Sequence, residues 1–261
     1  MTTKSTANEY PVHADTQEHK INKIDSSAPI QWLSAGFKDF KRIPGLSLLY
    51  GALFAAATAG VFMLIMNVPW YAVAYLTGLV VLGPFLASGL YAASRDIDRG
   101  VSPSISNSVR LLAKRSTYLA LFSVMLSLAM AIWIRISALI LAVKFNTLSP
   151  SIEAYTGLMS SADGWITLTY FIGMGFVLVS AVFIMSAVAV PMILDKDTDF
   201  ITAMHTSYRA VIQNPGPMAV WAMIIVALTA IGVATAFIGL AVIFPILGYA
   251  TWHSYRSLVE S

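Results

Sequence analysis

The chain has 261 residues, of which 57% are hydrophobic and 11% are charged, against roughly 25% charged residues in soluble domains. So few polar side chains cannot cover that much apolar surface in water, so the composition predicts a membrane protein. The apolar runs lack the alternation of a membrane strand, which predicts an all-α fold. The net charge of +3 with no basic stripe gives no reason to expect a nucleic-acid partner, and the absence of cysteine excludes disulfides and thiolate catalysis.

The first 29 residues are polar and lack the apolar core of a secretory signal. They offer little surface to bury, so we expect a flexible cytoplasmic tail at residues 1–29, followed by a membrane domain at residues 30–261.

Five apolar stretches follow the tail, and a run of about 20 apolar residues is long enough to cross a ~30 Å hydrocarbon core. The last stretch, residues 217–255, is nearly twice that length and contains Gly232 and Gly239. We therefore predict a turn near Thr235–Gly239, with one long helix as the alternative. The six predicted spans are residues 44–66, 71–94, 117–143, 165–194, 217–235 and 238–256.

The distribution of Lys and Arg predicts the orientation, because these residues accumulate on the cytoplasmic side of a membrane. The chain has 16 Lys and Arg residues, and with six spans all of these except Lys144 and Arg135 lie on one face of the membrane. Both termini are therefore predicted to be cytoplasmic.

Amphipathic segments precede three of the spans. Apolar residues recur at helical spacing before span one, before span five and, more weakly, before span three. We interpret this as three transmembrane hairpins, each preceded by a cytoplasmic interfacial helix, although such helices also align by chance. The apolar positions are Ile30, Leu33, Phe37 and Phe40; Phe200, Ala203, Met204, Tyr208 and Val211; and Ile105, Val109 and Leu112.

Two motifs carry a resemblance to a known family. The first is Gly83-Pro84-Phe85, Gly89-Leu90-Tyr91 and Ser94-Arg95; the second is Pro245-Ile246-Leu247-Gly248, Ala250-Thr251-Trp252-His253 and Tyr255-Arg256. Over about residues 30–259 the chain resembles an uncharacterised bacterial family of predicted six-span integral membrane proteins. The resemblance implies the inner membrane and no established activity. A looser similarity to the membrane domains of glycerophosphodiester phosphodiesterases implies a role beside an enzyme.

Arg135 is the one charge inside the apolar spans, and no Asp or Glu shares its depth. A charge at membrane depth is costly and often marks a pathway or a partner. Arg135 could instead snorkel toward the outer headgroups or a lipid phosphate, contact a partner subunit, or line a solute or anion pathway. The missing carboxylate disfavours proton-coupled transport.

Charged and aromatic residues at the cytoplasmic ends of spans two and six are candidates for binding a phospholipid headgroup or a partner. They are Arg95, Asp98, Arg99, Trp252, His253 and Arg256. The alternative is a helix-end charge cluster that only fixes the topology. His205 and His253 also suggest a pair of ligands for a haem or a metal. Family members often carry histidine where this chain has Tyr249, and this departure weakens the proposal of a histidine pair that binds metal or haem.

Asp195, Asp197 and Asp199 alternate after span four, as in the opening of a calcium loop, but the loop glycine and the later glutamate are missing. We expect helix capping by Asp199 or Thr198 and solvated charge rather than a cation site. The sequence predicts neither a metal nor a cofactor.

These observations favour a non-catalytic function, because no catalytic motif is present. We expect an accessory, assembly or scaffold subunit of a membrane complex, or a protein that organises lipids. Small residues such as Gly51, Ala52, Ala55 and Ala56 let helices approach closely, within the chain or across an interface. The expected partners are membrane lipids and other membrane-protein subunits or further copies. The alternative is a channel or carrier for a small neutral or anionic solute that uses Arg135.

Overall fold

The computed structural model describes residues 19–65, 75, 79, 83–145, 157 and 160–260. This part of the chain is all-α. Its helices are α1 (Ala28–Arg42), α2 (Pro44–Ile65), α3 (Ser88–Asp98), α4 (Ile105–Lys114), α5 (Ser116–Phe145), α6 (Ala162–Ser186), α7 (Ala189–Lys196), α8 (Phe200–Gln213), α9 (Pro215–Ala234) and α10 (Leu240–Leu258).

Four segments are long and apolar enough to cross a membrane: Pro44–Leu64, Ser116–Ile140, Ala162–Lys196 and Pro215–Ala234. They match predicted spans one, three, four and five. Most of residues 71–82 in predicted span two lie outside the described residues, as do residues 67–70 between spans one and two, residues 1–18 of the tail and the side chain of Lys144. Predicted span six corresponds to α10, which is not among these four segments. Its second half is polar and includes Thr251, His253 and Arg256.

The predicted break in the last apolar stretch is confirmed, because α9 ends at Ala234 and α10 begins at Leu240. Ala236 and Phe237 adopt left-handed backbone conformations in the turn, with φ of 53° and 69°. The Thr235 hydroxyl accepts a hydrogen bond from the Gly239 N–H at 2.9 Å. The alternative of a single long helix is therefore excluded.

Predicted span four divides into two helices, α6 and α7. Pro191 has no N–H to donate one turn back, which favours a break at residues 187–188. Ser207 of α8 stabilises the break, since its hydroxyl donates to the Ile184 carbonyl at 2.8 Å and lies 3.3 Å from the Val188 N–H.

The three predicted amphipathic segments form helices α1, α4 and α8, each directly before a long apolar helix. α1 packs mainly against α10, α4 against α3, and α8 against α6 and α7. Ile30 and Phe37 of α1 are exposed, whereas Asp39 is buried. In the amphipathic pattern of α1, Asp39 lies with Lys38, Lys41 and Arg42 opposite the apolar positions. Its burial departs from that pattern, because the carboxylate pairs with side chains on other helices.

The segment before α1 is bound to the C-terminus. Ile21 forms an antiparallel bridge with Val259, and the Asn22 N–H donates to the Leu258 carbonyl at 2.9 Å. The Asn214 side chain accepts from the Ile24 N–H at 3.0 Å. Part of the predicted tail, residues 21–24, is therefore held by contacts with other parts of the chain, and the two ends of the described chain lie together.

Close packing of α2 on α10 depends on a glycine and a proline. A Cβ at Gly51 would lie 2.6 Å from the Ala241 carbonyl carbon and 2.9 Å from Pro245 Cγ. Pro245 has no N–H to donate to the Ala241 carbonyl, so this carbonyl lacks its usual hydrogen bond within α10. One turn away, Phe54 and Phe244 stack with ring centroids 3.7 Å apart.

Candidate functional site

Two features stand out as candidate sites: a cluster of charged side chains and, next to it, an apolar cavity. The cluster, called the polar cluster here, joins α1, α3, α7 and α10 beside the paired chain ends. Its members are Asp39, Ser94, Arg95, Asp98, Arg99, Asp195, Trp252, His253, Tyr255 and Arg256.

Asp195, at the end of α7, is the centre of the polar cluster. Its Oδ1 lies 3.3 Å from Arg95 Nε and 2.7 Å from Arg99 Nη2. Its Oδ2 accepts a hydrogen bond from the Tyr255 hydroxyl at 2.9 Å and lies 3.8 Å from Arg256 Nη1. The Asp195 side chain is only 8% exposed, so these partners compensate a buried charge that would otherwise be costly.

Two further carboxylates extend the polar cluster. Asp39 Oδ2 accepts a hydrogen bond from the Ser94 hydroxyl at 2.6 Å and lies 2.8 Å from His253 Nε2, which links α1 to α3 and α10. Asp98 Oδ2 accepts from Trp252 Nε1 at 2.6 Å. Each carboxylate therefore joins helices that are far apart in the sequence.

The three alternating aspartates after span four have different partners. Asp195 belongs to the polar cluster, Asp197 pairs with Arg115, and Asp199 accepts from the Ile201 and Thr202 N–H groups at the start of α8. The predicted cap by Asp199 is confirmed. Burial lowers the pKa of Arg115, and the nearby Arg95 adds to this effect.

All six residues predicted to bind lipid or a partner lie in the polar cluster. Four further members were not predicted from the sequence, because their partners lie on distant helices: Asp39, Ser94, Asp195 and Tyr255. The charges within the cluster are compensated by partners of this chain. Arg99 and Arg256 keep the largest exposure, at 50% and 37% of their side chains. Headgroup or partner binding there stays a prediction.

The apolar cavity has a volume of about 820 Å³. Its described walls come from α2, residues 79–91, α6, α8, α9 and α10, and no charged residue is among them. Along α9 it extends from Pro215 to Thr229, which is ~21 Å at 1.5 Å per residue. Tyr91 and Thr251 line the end that lies one helical turn from Arg95 and Tyr255 of the polar cluster.

Arg135 lies elsewhere. It is exposed on α5, makes no ion pair with any described residue, and is not among the described residues that line the cavity. Its neighbours Trp133 and Ser137 are buried, and Trp133 packs edge-on against Phe171 with ring centroids 4.9 Å apart. Arg135 therefore points away from the α5–α6 contact.

A known protein family matches the central part of the chain. Residues 71–195 match a family described as "Predicted integral membrane protein (DUF2189)". The resemblance to an uncharacterised membrane family is therefore confirmed, and the match includes the motif around Pro84 but not the one after Pro245. Neither a curated protein nor a solved structure matches the chain. The family description names no activity.

Proposed function

We propose that this integral membrane protein is non-catalytic and organises lipids by holding acyl chains in the apolar cavity. The observation that carries the proposal is the size and lining of the cavity between helices long enough to span a membrane. Its volume of about 820 Å³ falls within the ~300–1,000 Å³ of ordinary ligand pockets. An uncharged, mainly apolar lining favours hydrocarbon over a polar solute.

As part of the proposal, the chain crosses the bacterial inner membrane six times as three hairpins, with both termini in the cytoplasm. The paired chain ends support an even number of crossings. The polar cluster brings residues 39, 94–99, 195 and 252–256 together, so the chain returns to one end of the molecule between successive hairpins. The exposed Lys38, Lys41 and Arg42, which lie beside Asp39 in the sequence, fit a cytoplasmic face.

A cavity-filling substitution tests the function. Ala222 on α9 lines the cavity, whereas Ala230 on the same helix is exposed and does not. We expect Ala222→Trp to lose the lipid that the full-length protein retains through purification in a lipid-preserving polymer disc. Ala230→Trp adds the same bulk outside the cavity and should retain it. Equal lipid retention by the two folded variants would contradict the proposal.

A second candidate is an accessory subunit that packs against another membrane protein or a further copy. One face of α2 supports it. Gly51 and Ala55 are buried within the chain, but Ala52, Ala56 and Gly60 are exposed one turn apart, in the small-xxx-small spacing that lets helices associate. Ala56→Leu should then disrupt a stoichiometric complex recovered from native membranes and leave bound lipid unchanged.

The channel or carrier alternative stays a prediction that the position of Arg135 does not favour, because this residue lies outside the described cavity lining. If Arg135 lined a pathway, Arg135→Gln would abolish solute flux into proteoliposomes. We expect the variant to retain lipid like the unaltered protein, because no described contact depends on the arginine.

A further inference from the structure

We infer that the cavity holds a diacyl phospholipid from the leaflet beside α8, and that this lipid enters sideways between α6 and α9. The inference rests on the proposed function and names the ligand of the same site. The first argument is length. The cavity begins at Val211, Ile212 and Pro215, where α8 turns into α9, and extends ~21 Å inward to Thr229. Half of a ~30 Å hydrocarbon core is ~15 Å, so the cavity is long enough for the chains of one leaflet.

The route of entry follows from helix packing. No substantial contact joins α6 to α9 along their described lengths. Phe176 of α6 and Met223 of α9 both line the cavity, yet they are 71% and 62% exposed. Side chains that are exposed and also line the cavity lie at its rim. In a bilayer this rim faces acyl chains, so the opening admits a lipid without passing the polar cluster.

The volume favours two chains over one. At roughly 30 Å³ for each methylene-sized group, about the volume of a water molecule in the liquid, one chain of ordinary length leaves a large part of the 820 Å³ empty. Two chains fill it better. Empty apolar space costs packing energy, so the occupant that fills the cavity is favoured.

A serine that lines the cavity indicates where the polar part of the lipid lies. Ser186 lines the cavity, is only 2% exposed, and its hydroxyl has no hydrogen-bond partner among the described residues. Several other helical hydroxyls in this chain bond a carbonyl one turn back, as Ser123 does with Leu119 at 2.6 Å and Thr251 with Leu247 at 2.8 Å. Ser186 lies two residues beyond Ile184, whose carbonyl contacts the interfacial helix α8 through Ser207. It is therefore at the level of the ester carbonyls of a lipid in that leaflet and can donate to one.

The test uses full-length protein in nanodiscs of phosphatidylethanolamine and phosphatidylglycerol, with native mass spectrometry to identify the retained lipid. Exchange is followed after mixing with nanodiscs that contain the same lipids with deuterated chains. We expect one diacyl phospholipid per chain, absent from Ala222→Trp and present in Ala230→Trp. We expect Ser186→Ala to speed exchange about two- to tenfold, the effect of losing one hydrogen bond. The control Ser123→Ala, whose hydroxyl bonds its own helix, should not change the rate.

Lateral entry is tested separately. The chain has no cysteine, so Phe176→Cys combined with Met223→Cys places unique thiols on opposite sides of the opening. Bridging them with a flexible bis-maleimide should slow lipid exchange at least tenfold, whereas the same reagent on Phe176→Cys alone should not. Unchanged exchange in the bridged protein would overturn the proposed route.

The remaining outcomes separate the two proposals. A retained single-chain lipid or isoprenoid that Ala222→Trp displaces would overturn the diacyl assignment and leave the proposed function standing. Retention that is the same in Ala222→Trp and Ala230→Trp would overturn both.

Discussion

Replacing Gly51 by alanine tests the packing of α2 on α10, which forms one wall of the cavity. The added Cβ would lie on the Ala241 carbonyl, 2.6 Å from its carbon and 2.9 Å from Pro245 Cγ. The nearest atoms belong to backbone and to a proline ring, so no flexible side chain can move aside. Relief requires α2 and α10 to separate.

The magnitude follows from opposing effects. Overpacking a close contact costs about 1–3 kcal/mol, and separating the helices also weakens any Cα–H contact to the Ala241 carbonyl, worth about 0.5–1 kcal/mol. Alanine gains about 0.5–1 kcal/mol over glycine within a helix. We therefore expect Gly51→Ala to lower the free energy of unfolding by about 1–2 kcal/mol.

Gly60 provides a matched control on the same helix. Nothing lies within 4 Å of a Cβ built there, so Gly60→Ala keeps only the gain in helix propensity. The free energy of unfolding is measured by titrating sodium dodecyl sulfate into mixed micelles and following tryptophan fluorescence. A Gly51→Ala protein as stable as Gly60→Ala would refute the close approach of α2 and α10.

Three further substitutions test the polar cluster, the α8 cap and the exposed arginine. Asp195→Asn should lower the free energy of unfolding by about 3 kcal/mol, because it leaves the largely buried guanidinium of Arg95 without its carboxylate. The dodecyl sulfate titration measures this loss. A loss smaller than that expected for an exposed ion pair would contradict the central role of Asp195. Asp199→Ala should cost about 1 kcal/mol as a lost N-cap. Burial of Asp199 opposes ionisation, but hydrogen bonds from Thr202 outweigh this effect and lower the pKa of Asp199. The cap therefore stabilises the fold above about pH 4, and this stabilisation is lost as the pH falls below that value. A difference in unfolding free energy between variant and parent that stays constant down to pH 3 would exclude this pH dependence. Arg135→Gln should leave unfolding in the same titration unchanged within about 0.5 kcal/mol, since no described residue pairs with it.

Features that depend on local composition could be predicted without the tertiary structure. Runs of apolar residues as long as a bilayer core identify membrane helices without knowledge of their neighbours, and α2, α5, α6 and α9 lie where these runs predict. Short amphipathic segments predicted the helices α1, α4 and α8, and two glycines located the turn between α9 and α10. The Asp199 cap was predictable for the same reason, because the carboxylate binds N–H groups two and three residues away.

The contacts between helices, and the space left between them, could not be predicted from the sequence. The spanning helices are apolar on all sides, so no amphipathic pattern reveals the face that each buries. Arg95 and Asp195 are 100 positions apart, and Asp39 joined the polar cluster although its sequence neighbours suggested a solvated face. The cavity opens where α6 and α9, from different parts of the chain, make no substantial contact along their described lengths. Such a gap depends on the relative positions of whole helices, because the residues that line it have the same apolar composition as residues that pack in contact.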